Sequence, residues 1–166
     1  PSISERVSLT EVVKTALTDL ELVIAETGAA ITVDILPHVQ GDRSQLEQLF
    51  QNLLSNALKF RRVDTSPVIQ VRVKTLASTK LPPSVKPART AKVYHCISVS
   101  DNGIGFEEKL VPRIFQVFQR LHGQSAFAGT GIGLAICEKV VTNHGGVITA
   151  NSQPGKGSTF SVYLPL

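Results

Sequence analysis

Between residues 93 and 101 the chain alternates in the period of a β-strand and then ends on a carboxylate. Val93, His95, Ile97 and Val99 fall on one face of this predicted strand, and Tyr94, Cys96, Ser98 and Ser100 on the other. Asp101 continues the largely apolar face, so the pattern aims an acid where a core should be. An unpaired buried charge costs on the order of several kcal/mol, so this acid needs a partner or an opening to solvent. A strand with one apolar face also needs helices to cover it, and the remaining sequence has to supply them.

Three helical patterns do so. Ser8 and Glu11 form a capping box before Val13, Ala16, Leu17, Leu20 and Ile24, with Gly28 as a stop, which predicts one continuous helix. Asp42 and Gln45 open a second helix running to about Arg61. A third runs from Gly131 to about Asn143, stopped by Gly145 and Gly146. Short strands are predicted over residues 31–36, 68–75, 147–151 and 158–164. Residues 76–90 are rich in Pro, Ser and Lys and read as a mobile hairpin loop, with His38 in another loop. Residues 106–128 show no period beyond one helical turn at 112–118, and a connection this long is usually functional or disordered. The expected fold is a two-layer α/β sandwich, with three helices on one face of a mixed, mostly antiparallel sheet. It forms one domain over residues 1–166.

Composition narrows the function. Hydrophobic residues make up 42% and charged residues 18%, an ordinary globular balance, and no apolar run is long enough to span a membrane. The chain starts at Pro1 and has no methionine, which suggests a piece of a longer protein. Its net charge of +4 comes with a loose basic cluster between residues 74 and 92. Aromatics are only 5% and none interleaves with that cluster, so a solvated surface is favoured over a nucleic-acid patch. A positive balance also permits an anionic small ligand. Cys96 and Cys137 lack metal-ligand spacing and read as core residues of a protein in a reducing compartment.

The second helix carries a polar stripe. Leu46, Leu49, Phe50, Leu53, Leu54, Ala57 and Leu58 cover a broad arc, with Gln48, Asn52, Asn56 and Lys59 along its edge. Asparagine competes for the helix backbone, so two of them one turn apart ask for a reason. Either the face is simply solvated, or it offers amide oxygens and an ammonium to a hard cation and phosphates. "GTGIGLAI", residues 129–136, opens the third helix with exposed N–H groups and glycines, a ready anion site or a tight packing start. A dinucleotide fingerprint would need glycine at Leu134, and "GKGST" lacks the lysine–hydroxyl pair of a P-loop. An ionised Asp101 can only accept hydrogen bonds, which suits the exocyclic amine of adenine and repels the carbonyl of guanine. Gly103 and Gly105 would let the chain turn closely around a ring, although Asp101 as a plain turn cap stays open.

Taken in order, these pieces resemble the ATP-binding catalytic domain of sensor histidine kinases over nearly the whole chain. "QNLLSNALKF" resembles the N box, "DNGIGF" the first glycine box, and "IFQVFQRLHG" the phenylalanine box of the lid. "GTGIGLAI" resembles the second glycine box and "GKGSTF" the final glycine motif. "VFQRLHGQSAFAGTGIGLAIC" is further similar to kinase modules of bacterial phytochromes. The resemblance implies the Bergerat fold with a long ATP lid, binding ATP and Mg²⁺. It implies that Asp101 binds the adenine amine with Thr159 in support, and that Gly103 and Gly105 close around the base. Asn56 would be the main Mg²⁺ ligand, assisted by Asn52, and Phe60 would pack beside the adenine. Lys59 and Arg120 would reach the phosphates. Phe115 and Phe118 would pin the lid, and the segment Gly129, Thr130, Gly131, Ile132, Gly133 and Leu134 would close over the triphosphate.

Gyrase-like relatives of that fold place a water-activating glutamate where this chain has Asn52, and a neutral amide is a negligible base. Transfer to an acceptor is therefore favoured over hydrolysis. The resemblance implies an acceptor histidine on a dimerisation domain of the same protein, a response regulator downstream, a homodimeric parent and a cytoplasmic location. It implies neither nucleic-acid nor direct membrane contact. None of His38, His95, His122 and His144 has the sequence context of the acceptor. A module that binds ATP without transferring phosphate, and an ATPase doing conformational work, are the competing readings.

Overall fold

A computed structural model describes residues 5–87, 89–110, 114–115 and 131–166. The strands are β1 (Glu5–Ser8), β2 (Ala30–Val33), β3 (His38–Gly41), β4 (Val68–Ala77), β5 (Val93–Asp101), β6 (Val147–Gln153) and β7 (Gly157–Pro165). The helices are α1 (Leu9–Asp19), α2 (Glu21–Thr27), α3 (Arg43–Lys59) and α4 (Gly131–Asn143). Five strands form one sheet in the order β2-β4-β5-β7-β6, parallel between β2 and β4 and antiparallel elsewhere. The two-layer α/β sandwich with a mixed, mostly antiparallel sheet is therefore what the chain adopts.

The alternation sets the layers. In β5, Ile97 and Val99 lie opposite Val73 and Val71 of β4 and Val162 and Phe160 of β7, giving the sheet one apolar face. Leu46, Leu49, Phe50, Leu53, Leu54 and Leu58 of α3 are buried against it, each stabilising the fold by roughly 2 kcal/mol. α1 packs on one side of α3 and α4 on the other. The opposite face of the sheet is polar, with hydroxyl pairs between Ser98 and Ser161 (3.2 Å) and between Ser100 and Thr159 (2.9 Å).

Several local expectations need correction. The first helix is two. It breaks at Leu20, whose N–H is shared between the Ala16 and Leu17 carbonyls at 3.2 Å each. The break falls where the buried stripe ends, since α1 buries Leu9, Val12, Val13 and Ala16 and α2 buries none of its residues. The strand expected over 31–36 pairs only through Val33, because the Asp34 carboxylate turns back to accept from the Val73 N–H at 3.0 Å. The helix expected to reach Arg61 stops at Lys59. β1 and β3 form a separate antiparallel ribbon, too short to show a period, and His38 lies in it rather than in a loop.

The connection expected as a free loop at 76–90 is folded onto the polar face. β4 continues to Ala77, and a 3₁₀ turn covers Ser78–Lys80. Val85 is buried against Cys96 and Tyr163. The Tyr94 hydroxyl donates to the Arg89 carbonyl (3.0 Å) and accepts from the Ala91 N–H (2.8 Å). Most of the turn expected at 112–118 lies outside the described residues.

His144 joins the ends of two helices. Its Nδ1 donates to the Val140 carbonyl at 2.7 Å and its Nε2 accepts from the Asp42 N–H at 3.0 Å. A Cβ on Gly41 would lie 2.7 Å from that ring, which is why the residue before the α3 cap is glycine.

Candidate nucleotide site

Three chain segments meet at the end of α3. Its carboxyl-terminal turn brings Asn56, Ala57 and Phe60. The end of β5 and the segment after it bring Asp101, Ile104, Gly105 and Phe106, and the start of β7 brings Ser158 and Phe160. Leu134 of α4 closes the fourth side of the cleft.

Backbone hydrogen bonds lock the three segments together. The Ile104 N–H donates to the Phe60 carbonyl at 3.0 Å, and the Gly155 N–H donates to the Ile104 carbonyl at 2.6 Å. Arg62 Nη1 closes the ring by donating to the Gly155 carbonyl at 3.2 Å. Such close approach excludes side chains. A Cβ on Gly103 would sit 2.5 Å from the Phe60 carbonyl oxygen, and one on Gly105, at φ +68°, would overlap that of Gln153. A Cβ on Gly157, at φ +89°, would overlap the Asp101 carbonyl oxygen. Behind the pocket, Ser152 Oγ accepts from the Phe106 N–H and donates to the Gly157 carbonyl, both at 2.8 Å. Phe160 is stacked obliquely by Phe106 (centroids 6.2 Å apart) and edge-on by Phe115 (6.1 Å).

Asp101 sits at the wall of this pocket. Its Oδ1 accepts from the Gly103 N–H at 2.8 Å, and no cation pairs with it among the described residues. Burial pushes its pKa up to about 6, while the N–H groups of Gly103 and Ser158 hold it from rising further. Above that pH the pocket therefore presents a carboxylate with spare acceptor capacity beside apolar and aromatic walls. That surface is complementary to a flat ring bearing an N–H donor.

The other residues expected at the site fall in several places. Asn56 lines the pocket, and its Nδ2 is buried with no hydrogen-bond partner among the described residues. Rotating the amide by half a turn would present its oxygen there instead. Lys59 is exposed in the last turn of α3. Asn52 hydrogen-bonds to the Cys137 thiol, which burial pushes up to about 12. Thr159 lies on the opposite face, bonded to Ser100, and it is Ser158, in register with Asp101, that lines the pocket. Gly131, Ile132 and Gly133 are the first residues of α4. Arg120, Gly129, Thr130 and Phe118 lie outside the described residues.

Ser158, Ile104, Phe106, Phe160 and Gly157 are site residues that sequence reasoning misses. For Ser158 a signal exists. With Phe160, Val162 and Leu164 facing the core, residue 158 must share their face.

This pocket and sheet define a nucleotide-binding ATPase fold, and comparison with known proteins agrees. Residues 41–166 match the family described as histidine kinase-, DNA gyrase B-, and HSP90-like ATPase, and the chain belongs to that family. Within it, relatives include sensor kinases and phytochromes. The chain is 44% identical over 161 residues to cyanobacterial phytochrome A of Nostoc sp., covering 95% of the chain and 19% of that protein. It is 38% identical over 138 residues to the sensor histidine kinase RcsC of Escherichia coli, covering 82% of the chain and 13% of that protein. Among solved structures, the mycobacterial sensor histidine kinase MprB superposes with a TM-score of 0.70 at 27% identity, covering 97% of both chains. The chain is thus homologous to the catalytic domains of sensor histidine kinases, and it spans only 19% and 13% of the length of these two curated relatives.

Proposed function

We propose that residues 1–166 are the ATP-binding catalytic domain of a sensor histidine kinase, passing the γ-phosphate of Mg-ATP to a histidine on a separate dimerisation domain of the same protein. The observation that carries this reading is the half-buried Asp101 carboxylate, with no cation partner among the described residues, at the wall of an apolar pocket. Asp101 accepts from the adenine amine, and Phe60, Ile104 and Phe160 enclose the ring. Ser158, rather than Thr159, supports the carboxylate from β7.

A magnesium ion fits the donors present. Among the described residues no cluster of three or more His, Cys, Asp or Glu is placed to hold a metal; amide oxygens, with phosphates and water completing a hard, oxygen-rich shell, would suit magnesium. Asn56 would hold the ion, its unpartnered amide being free to turn, with Asn52 assisting one turn earlier. The ion would neutralise phosphate charge and align the chain. Lys59 and Arg120 would supply cations to the phosphates, and transfer by positioning and charge neutralisation needs no strong base. Asn52 offers none, so water is poorly activated and the phosphoryl group is kept for the acceptor.

The parent would be a homodimer feeding a response regulator. No helix among the described residues is long and apolar enough to cross a membrane, and the reading sets this domain in the cytoplasm without direct membrane or nucleic-acid contact. The test is phosphorylation, from labelled ATP, of a dimerisation domain restored upstream of residue 1. Transfer to its histidine is expected. ATP binding without transfer would leave only a nucleotide-sensing module.

A further inference from the structure

The positive charge of this chain is concentrated in one part of the fold. Residues 65–100 contain Arg72, Lys74, Lys80, Lys86, Arg89 and Lys92 and no Asp or Glu. The whole chain carries only +4, so the remainder is net negative. All six cations are exposed, and none is in an ion pair among the described residues. The structure assigns this segment to β4, β5 and the connection between them, which folds across the sheet face remote from the helices.

The register fixes where two of these cations go. Arg72 lies opposite Ser98, and Lys74 opposite Cys96. Both therefore project from the polar face, away from α3 and the nucleotide pocket. They border an open hollow of about 350 Å³ whose other walls include Asp34, Ser98, Ser100 and Thr159. The hydroxyls of Ser98 and Ser161 share one bond, with the Cys96 sulfur 3.9 Å from Ser98, and those of Ser100 and Thr159 share another, which leaves the second pair a proton to donate outward. One carboxylate oxygen of Asp34 accepts from the Val73 N–H, and the charge of that acid leaves Arg72 and Lys74 a net surplus of one positive charge there.

A fixed hydroxyl donor on the floor and two unpaired cations on the wall are complementary to carboxylates. We propose that this open sheet face docks a carboxylate-rich surface of a protein partner, with Arg72 and Lys74 as the central contacts. A nucleic acid is less well served. The Tyr94 ring is buried and its hydroxyl engaged, and Tyr163 is buried, so neither tyrosine of the face offers a platform on which bases could stack. A bilayer is less well served too, since the hollow offers hydroxyls where an inserting surface needs apolar side chains.

The test uses the 166-residue chain, isotope-labelled and titrated with a poly-glutamate peptide. Amide shifts are expected to centre on residues 72–74, 96–100 and 159–161, with affinity falling as salt is raised. Arg72→Glu with Lys74→Glu should weaken binding by about tenfold or more and leave ATP affinity unchanged. Lys86→Glu with Lys92→Glu should weaken it less. Three results would overturn the proposal: shifts centred elsewhere, equal losses in the two double variants, or tighter binding of a DNA duplex or of phosphatidylserine vesicles than of the peptide.

Discussion

Asp101 Oδ1 and the Gly103 N–H are hydrogen-bonded at 2.8 Å, so the glycine two residues on holds the acid in place without neutralising it. The same glycine lets the Phe60 carbonyl approach from α3, where any side chain would collide. One short turn thus fixes both the chemistry of the pocket and its closure against the helix.

Because burial raises the Asp101 pKa to about 6, ionising it in the folded protein works against stability. The folded state holds this proton more tightly than the unfolded chain. The contribution of Asp101 is therefore most favourable below the ordinary aspartate value and declines as pH rises to about 6, by at most on the order of 3 kcal/mol. Asp101→Asn should raise stability at pH 8 and flatten this part of the pH profile, as urea unfolding at several pH values will measure. An unstabilised variant would show that the acid is solvated or paired.

The same titration governs the ligand. Adenosine phosphates should bind about tenfold more weakly at pH 5 than at pH 7.5, because the protonated acid loses its acceptor strength. Fluorescence titration with a labelled adenine nucleotide across that range checks this. A flat profile would remove the carboxylate from adenine recognition.

Glycines of the β6–β7 turn separate two kinds of cost. Gly155 has φ +79° and open space where a Cβ would stand, so Gly155→Ala should cost only its conformational strain, about 1–2 kcal/mol. Gly157→Ala adds a collision with the Asp101 carbonyl and should cost more than about 3 kcal/mol, with loss of nucleotide binding. Chemical denaturation of both variants gives the comparison. Equal losses would contradict it.

Arg62 supplies the side-chain link in the ring that joins Phe60, Ile104 and Gly155. This hydrogen bond is exposed and worth on the order of 0.5–1 kcal/mol, so Arg62→Ala should weaken ATP binding by no more than about fivefold. Arg62→Lys should recover part of it. Calorimetric titration of the two variants checks the order, and unchanged affinity in Arg62→Ala would show that the backbone bonds suffice.

Asn56→Ala should abolish most of the Mg²⁺ dependence of ATP affinity, a loss of about tenfold or more with magnesium and little without. Paired titrations with Mg²⁺ and with a chelator read this directly. A variant that still gains affinity from magnesium would move the ligand role elsewhere.

Much of this is legible in the sequence, and for physical reasons. The period-2 alternation of β5 and β7 and the broad apolar arc of α3 are long and unambiguous, so the layers follow from them. Asp101 stands out because its position contradicts its strand. What escapes depends on tertiary contact. Leu20 breaks a helix whose local pattern is continuous, where full burial of the first half gives way to the partial burial of Val23 and Ile24 in the second. The β1–β3 ribbon is four residues a side and shows no period. Thr159 and Ser158 differ by one residue, and in a strand one residue exchanges the pocket for the opposite face.

The most direct measurement is calorimetric titration of the chain with Mg-ATP and Mg-GTP, alongside Asp101→Asn. A carboxylate that reads the adenine amine predicts clear heat with ATP, far weaker binding of GTP, and loss of ATP binding in the variant. Equal affinity for the two nucleotides, or an unaffected variant, would contradict the account.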